Sequence, residues 1–261
     1  MLHAIVMAGG SGTRFWPMSR RNRPKHLLPL VRSQSLLQQT VQRIAPLVPA
    51  ERTWVITGAD HADEVRKQLR GLPGLSIIEE PCRRDTAPCI GLAATLIVQR
   101  DPDATLVVMP ADHVIDPPEE FCRTIEQAGA LVHEDTRRLV TLGIKPDRPA
   151  TGFGYIQRGA AIGSGRALPS YVAKQFREKP TRDVAEEYVR SGEFYWNSGI
   201  FIWTAATIRS ELESHRPQLV SRLNRIGETW NGGDRDRVFA EQYEQIEPIS
   251  IDYAALELSG H

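Results

Sequence analysis

The sequence predicts an α/β fold in which a mixed, mainly parallel central sheet carries helices on both faces. Three features predict it. Short apolar runs alternate with helix-periodic segments from residue 3 to residue 133; a glycine-rich loop follows the first apolar run directly; and four strand-like runs crowd into residues 137–203 with fewer helices between them.

In order, His3–Met7 reads as a short buried strand ending in the glycine loop. "SQSLLQQTVQRIAPLV" sets Leu36, Leu37, Thr40, Val41 and Ile44 on one helical face, with Ser33 or Ser35 as its N-cap. "RTWVIT" (52–57) is a strand, "ADHADEVRKQL" a helix and "GLSIIEE" (74–80) a third strand. "TAPCIGLAATLIVQR" (86–100) has small and apolar residues all round, hence a buried helix, and "ATLVVMP" (104–110) is the fourth strand. After a helix over 118–133, the runs "RRLVTLGI", "GFGYIQRG", "SYVAKQFREKP" and "FYWNSGIFIW" extend the sheet and build one wall of a cleft. "VAEEYVRSG", "TAATIRSELESHRP" and residues 217–245 read as helical. No repeat, low-complexity tract or linker divides the chain, so residues 1–261 are expected to form one catalytic domain.

Composition removes several classes. With 41% hydrophobic and 25% charged residues the chain is ordinary globular material. No apolar run reaches the roughly 18 residues of a membrane span, and the start lacks a signal-peptide pattern, so a cytoplasmic protein without a membrane partner is expected. Cys82, Cys89 and Cys122 form no CxxC pair and no even framework, which argues against disulfides and sulfur-bound metal. The net charge is zero, yet residues 1–50 hold seven Lys/Arg and no Asp/Glu, leaving 25 against 32 in the remainder. That remainder has no basic stripe with interleaved aromatics, so a compact anion is expected rather than nucleic acid.

The cations gather in "MAGGSGTRFWPMSRRNRPKHLLPL", residues 7–30. The loop is no Walker A sequence, because no GK[ST] closes it, and Gly9, Gly10 and Gly12 do not complete GxGxxG. Its backbone amides nevertheless suit a phosphate chain, Arg14 offers a planar fork to phosphate oxygens, and Lys25 adds a movable point charge. In an open α/β sheet this loop, the turn "EEPCRRDTAP" (79–88) and "MPADH" (109–113) meet along one crevice at the carboxyl ends of the strands. Asp112, in Pro110-Ala111-Asp112, is placed to hold Mg²⁺ against the phosphates; a helix N-cap or turn carboxylate is the structural alternative.

These residues resemble a known family. "MAGGSGTRFWPMSRRNRPKHLLPL" is similar to the GGxGTR loop and PK pair of sugar-phosphate nucleotidyltransferases. "EPCRRDTAPCIGLAA", "MPADHVI", "TGFGYI", "FREKP", "YWNSGIFIW" and "SIDYAALE" resemble, in the same order, the mannose-1-phosphate guanylyltransferase branch, from Ala4 to Glu257. The resemblance implies a Rossmann-like nucleotidyltransferase fold. It implies transfer of GMP from GTP to mannose 1-phosphate, giving GDP-mannose and pyrophosphate, with Mg²⁺ as cofactor and a homo-oligomer allowed. Fixed cations and a metal matter more in such a step than an acid or base.

By the same resemblance, Ala8, Gly9, Gly10, Ser11, Gly12, Thr13 and Arg14 hold the nucleotide together with Pro110 and Ala111. Arg14 and Lys25 neutralise the phosphates as the catalytic cations, and Asp112 binds the metal. Glu178 accepts from sugar hydroxyls, Lys179 faces the sugar phosphate, and Gly154 and Asn197 line the sugar pocket. Asp85 stands where the family commonly has Asn in its guanine-reading segment; a carboxylate accepts from guanine N1–H and the amino group but donates nothing to O6. His26 and His113 are expected to be structural hydrogen bonders, and Trp196 and Trp203 core residues.

The family commonly continues through a strand carrying a second metal acid, and Asp252 in "SIDYA" is read as distinct from that acid. A fragment, a substituting acid nearby, or incomplete activity all fit. The alternatives to the guanylyl-transfer reading are a non-catalytic nucleotide or nucleotide-sugar binding paralogue, and a transferase using another nucleotide or sugar phosphate.

Overall fold

The computed structural model describes residues 1–10, 16–20, 23–163 and 168–259. The strands are β1 (Leu2–Ala8), β2 (Thr53–Gly58), β3 (Ser76–Glu80), β4 (Thr105–Pro110), β5 (Val140–Ile144), β6 (Tyr155–Ala161), β7 (Tyr171–Arg177) and β8 (Phe194–Thr204). They form one sheet in the order β3-β2-β1-β4-β8-β6-β7, with β5 also paired to β8. β1 to β4 are mutually parallel and β8 runs antiparallel to β4. Trp196 of β8 faces Ile144 of β5 and Tyr155 of β6 at once, so these two strands flank β8 on opposite edges.

Because the parallel strands are covered on both faces, successive residues of β1 enter different cores. Ile5 joins one apolar cluster, while Ala4 and Val6 join the other. The first is closed by α3 (Thr86–Val98), α6 (Ala205–His215), α7 (Pro217–Thr229) and α8 (Arg235–Glu244), the second by α1 (Leu36–Ile44), α2 (Ala62–Gln68) and α4 (Pro118–Glu134). A further helix, α5 (Arg182–Ser191), lies under the outer strands, where Ala185 meets Tyr155 and Phe194.

Local signals explain the boundaries. Ser35, rather than Ser33, caps α1: its hydroxyl accepts from the Gln38 amide and the Gln38 side chain returns to the Ser35 amide, a full capping box. α2 begins only at Ala62, because residues 59–61 make a turn in which the His61 amide donates to the Gly58 carbonyl. The helical stretch read over 217–245 is two helices, interrupted where Gly232 and Gly233 favour a turn. α3 is buried on nearly every side, as its composition requires. A Cβ at Gly91 would come within 2.6 Å of Leu223 Cδ1, so glycine allows α7 to sit close against α3. No helix among the described residues is long and apolar enough to cross a membrane.

Candidate active site

The chain proceeds from β1 outward through β2 to β3, then returns to the other side of β1 for β4. The strand order therefore reverses at β1, whose carboxyl end lies beside that of β4, the position at which open α/β sheets take ligands. Ala8 ends β1 buried, with its carbonyl accepting from Thr57 Oγ1 at 3.0 Å. Gly9 and Gly10 then emerge into solvent, Gly10 with φ +96°, a conformation that favours glycine. Ser11, Gly12, Thr13 and Arg14 lie outside the described residues.

Pro24 leads into a single helical turn over Lys25–Leu27, which brings Lys25 under the same edge. Lys25 Nζ donates to Asp112 Oδ2 at 3.0 Å across 87 residues of sequence. Asp112 follows Pro110 and Ala111, the latter buried with its amide donating to the Met7 carbonyl at 3.0 Å. The segment beyond is fixed from α1: buried Arg43 donates to the His113 carbonyl at 3.1 Å, and its guanidinium stands over the Phe121 ring. Two histidines flank this arrangement. Burial pushes His26 down to about 4 and lowers His113, so both rings are neutral near pH 7. The expectation of structural hydrogen bonding is not met at buried His26 Nε2, which has no partner among the described residues.

A second cluster is built by residues just past the end of β7, in β8 and in the loop before β6. The Asn197 amide donates to the Gly154 carbonyl at 2.8 Å, and a Cβ at Gly154 would fall 2.5 Å from Glu178 Oε2. Glu178 is nearly buried and accepts at Oε1 from Lys179 Nζ, 2.9 Å away. That contact raises the Lys179 pKa. Lys179 itself adopts φ +44° and donates its amide to the Phe153 carbonyl at 3.3 Å. Gly154, Glu178, Lys179 and Asn197 thus form one cluster.

Asn197 has a defined orientation. Its Oδ1 accepts from the Gly199 amide (3.0 Å) and from Thr141 Oγ1 (3.1 Å), so Nδ2 is the atom that donates to Asp252 Oδ1 at 3.0 Å. Since β8 pairs with β4 from Phe201 onward, Asn197 and Gly199 run past the carboxyl end of β4, where a Gly199 Cβ would be 3.7 Å from Pro110 Cγ. Sequence reasoning gives Asp252 no site role, yet it belongs to this cluster. Burial, then the charge of Glu178, push its pKa up to about 6. The one signal for it is the preserved order of "SIDYA" after "YWNSGIF", and no periodicity links the two segments.

Asp85 precedes α3 and caps it, Oδ1 accepting from the Thr86 amide at 2.7 Å. Its φ of 68° and ψ of −169° lie in a region almost reserved for glycine, a cost of order 1–3 kcal/mol that the surrounding contacts must offset. The Ile251 amide donates to Thr86 Oγ1 at 2.8 Å, and Asp85 contributes to the raised pKa of Asp252, so the turn before α3 and the Asn197–Asp252 cluster adjoin. Trp203 is fully buried and Trp196 nearly so, as expected of core residues.

Among the described residues no group of three or more His, Cys, Asp or Glu is arranged to hold a metal. Asp112 offers one carboxylate: Oδ2 faces Lys25, while Oδ1 is 3.9 Å from His113 Nε2, beyond hydrogen-bonding distance. Mg²⁺ is often held by one or two carboxylates with substrate phosphates completing its shell, and Asp112 fits that donor set.

The sequence profile described as "Nucleotidyl transferase" matches residues 3–232. A curated relative, the mannose-1-phosphate guanylyltransferase of Klebsiella pneumoniae, is 41% identical over 260 residues; the match covers 98% of this chain and 54% of that protein. The chain therefore spans about half the length of the curated relatives it matches. A crystal structure from Thermus thermophilus, described as mannose-1-phosphate geranyltransferase, superposes with a TM-score of 0.86 at 34% identity, covering 100% of this chain and 72% of that one. One from Helicobacter pylori, described as mannose-6-phosphate isomerase, gives 0.77 at 26% identity, covering 99% and 94%. With its parallel core, a strand order that reverses at β1 and a family match over most of its length, this chain belongs to the nucleotidyl transferase family.

Proposed function

We propose that the chain transfers GMP from GTP to mannose 1-phosphate. A phosphate oxygen of the sugar attacks the α-phosphorus of GTP, the bond from that phosphorus to the bridging oxygen of the β-phosphate breaks, and pyrophosphate leaves. The observation that supports this reading is that two differently equipped clusters lie at the carboxyl end of β4: the Lys25–Asp112 pair just past Pro110, and the Gly154, Glu178, Lys179, Asn197 and Asp252 cluster, which reaches Pro110 through Gly199. The K. pneumoniae relative's name supplies the substrates proposed here.

Each residue has a physical task in this reading. Amides of the Gly9–Thr13 loop and the Arg14 fork bind the triphosphate. Lys25 exchanges its contact with Asp112 for a phosphate oxygen, placing positive charge where the transition state gathers negative charge. Mg²⁺, held through Asp112, would supply further neutralisation of the phosphates. Asp85 keeps its Oδ1 on the α3 amide and offers Oδ2 to guanine N–H groups. Glu178 accepts from sugar hydroxyls, and Lys179 turns toward the sugar phosphate.

Incubation with GTP, Mg²⁺ and mannose 1-phosphate tests the proposal through pyrophosphate release. Release only with another nucleotide or sugar phosphate keeps the reaction and replaces the substrate. Tight binding of GTP or GDP-mannose with no release at high protein concentration identifies a binding paralogue instead.

A further inference from the structure

Segment 243–252, which brings Asp252 to the cluster, is laced to the turn that carries Asp85. Arg84 Nε donates to the Tyr243 carbonyl at 3.3 Å, and Arg84 Nη2 to the Glu244 carbonyl. The Ile249 amide donates to the Arg84 carbonyl at 3.2 Å, and the Ala87 amide returns to the Ile249 carbonyl at 3.1 Å. The last tie before Asp252 is the Ile251 amide donating to Thr86 Oγ1 at 2.8 Å. Thr86 therefore occupies a junction: its own amide is capped by Asp85, the base-side carboxylate, while its hydroxyl holds the residue next to Asp252.

Around that hydroxyl the alternatives are few. Asp252 opens a single π-helical turn, Asp252–Leu256, with the Glu257 amide on the Asp252 carbonyl at 2.9 Å. That turn is held from outside by Arg216 Nη2 on the Tyr253 carbonyl at 3.1 Å, and from the site by Asn197. Neither contact reaches the base-side turn, whereas Thr86 does.

We propose that Thr86 is a positioning residue that sets Asp85 and Asp252 in register, so that the base-reading turn and the sugar-side carboxylate are placed together. The inference rests on the functional reading above. Thr86 acts by fixing the Ile251 amide, and so the direction in which the Asp252 carboxylate leaves the chain. A misplacement on the scale of an ångström at a reacting site is enough to cost about a hundredfold in rate.

The test compares Thr86→Val, which keeps the shape and loses the acceptor, with Thr86→Ser, which keeps the hydroxyl, each alone and combined with Asp252→Asn. Thr86→Val is expected to lower kcat for pyrophosphate release by about tenfold or more, with a melting temperature within about 4 °C of the parent. Thr86→Ser is expected to stay within about threefold of the parent. In the Asp252→Asn background, Thr86→Val is expected to add little further loss, because the two changes remove the same arrangement. Parent-like kcat in Thr86→Val, a full additional loss in the Asp252→Asn background, or a fall of more than roughly 10 °C in melting temperature would each overturn the positioning role. Should the parent release no pyrophosphate with any nucleotide, the functional reading fails separately. Amide exchange then decides the inference: residues 251–256 must exchange faster in Thr86→Val than in the parent and in Thr86→Ser, and equal exchange refutes it.

Discussion

Asn197 Nδ2 donates to Asp252 Oδ1 at 3.0 Å, joining residues 55 positions apart in sequence. The contact is directional because the Gly199 amide already occupies the Asn197 oxygen. Asn197→Leu removes the donor to Asp252 and strands the partly buried Gly199 amide, a loss of about 1–3 kcal/mol, while Thr141 Oγ1 keeps the Ile200 carbonyl at 3.2 Å. The variant is expected to melt several degrees lower and to lose about tenfold or more in kcat/KM for mannose 1-phosphate. Unchanged kinetics would remove Asn197 from the sugar side.

Lys25 and Asp112 are both partly open to water, so their pair contributes little to folding, about 0–1 kcal/mol. Its value lies in where it puts the ammonium group. Lys25→Met is expected to leave the melting temperature nearly unchanged while lowering kcat by about a hundredfold, the scale of losing one charge-stabilising donor. A normal rate would show that the ammonium group does not face the phosphates.

Gly154 leaves just enough room for the Glu178 carboxylate. Because the atom that a Cβ would strike is the end of a flexible side chain, Gly154→Ala is expected to fold and to push Glu178 out of place. The Michaelis constant for mannose 1-phosphate should rise about tenfold, with that for GTP changed far less. Equal effects on both constants would argue against a sugar-side position.

Glu80, at the end of β3, accepts a hydrogen bond from the buried Tyr243 hydroxyl, and burial raises its pKa from 4.5 to about 7. Below pH 4.5 it is protonated in folded and unfolded chains alike. Between 4.5 and 7 only the folded chain keeps the proton, so this group's contribution to stability falls as pH rises, by up to about 3 kcal/mol in all. Above 7 the loss is complete. Glu80→Gln, neutral at every pH and still able to accept from Tyr243, is expected to melt several degrees higher than the parent at pH 8 and within about 2 °C of it at pH 4.5. The same difference at both values would show that Glu80 is not the titrating group.

The parallel half of the fold was legible because its strands are apolar runs separated by helical segments, the first of them marked by its cap at Ser35. The second half was less so. β5 to β8 have mixed burial and bulged pairing, and only three-dimensional contact places β8 beside both β4 and β6. The same contrast holds in the crevice. Lys25 and Asp112 announce themselves as a cation after a proline and an acid after an apolar strand. Asp252 does not, since its place depends on the lacing of 243–252 to residues 84–87, which no local pattern encodes. Asp85 showed its residue type but not its strained backbone or its second task as the cap of α3.

In the proposed reaction both substrates meet in the crevice between the β1 loop and the β8 cluster, with the α-phosphate of GTP passing between them. The direct measurement follows a radiolabel on that phosphate during incubation with mannose 1-phosphate and Mg²⁺. Label appearing in GDP-mannose in step with pyrophosphate, and lost in Lys25→Met, is the predicted result. Label remaining in GTP under conditions where both ligands bind would contradict it.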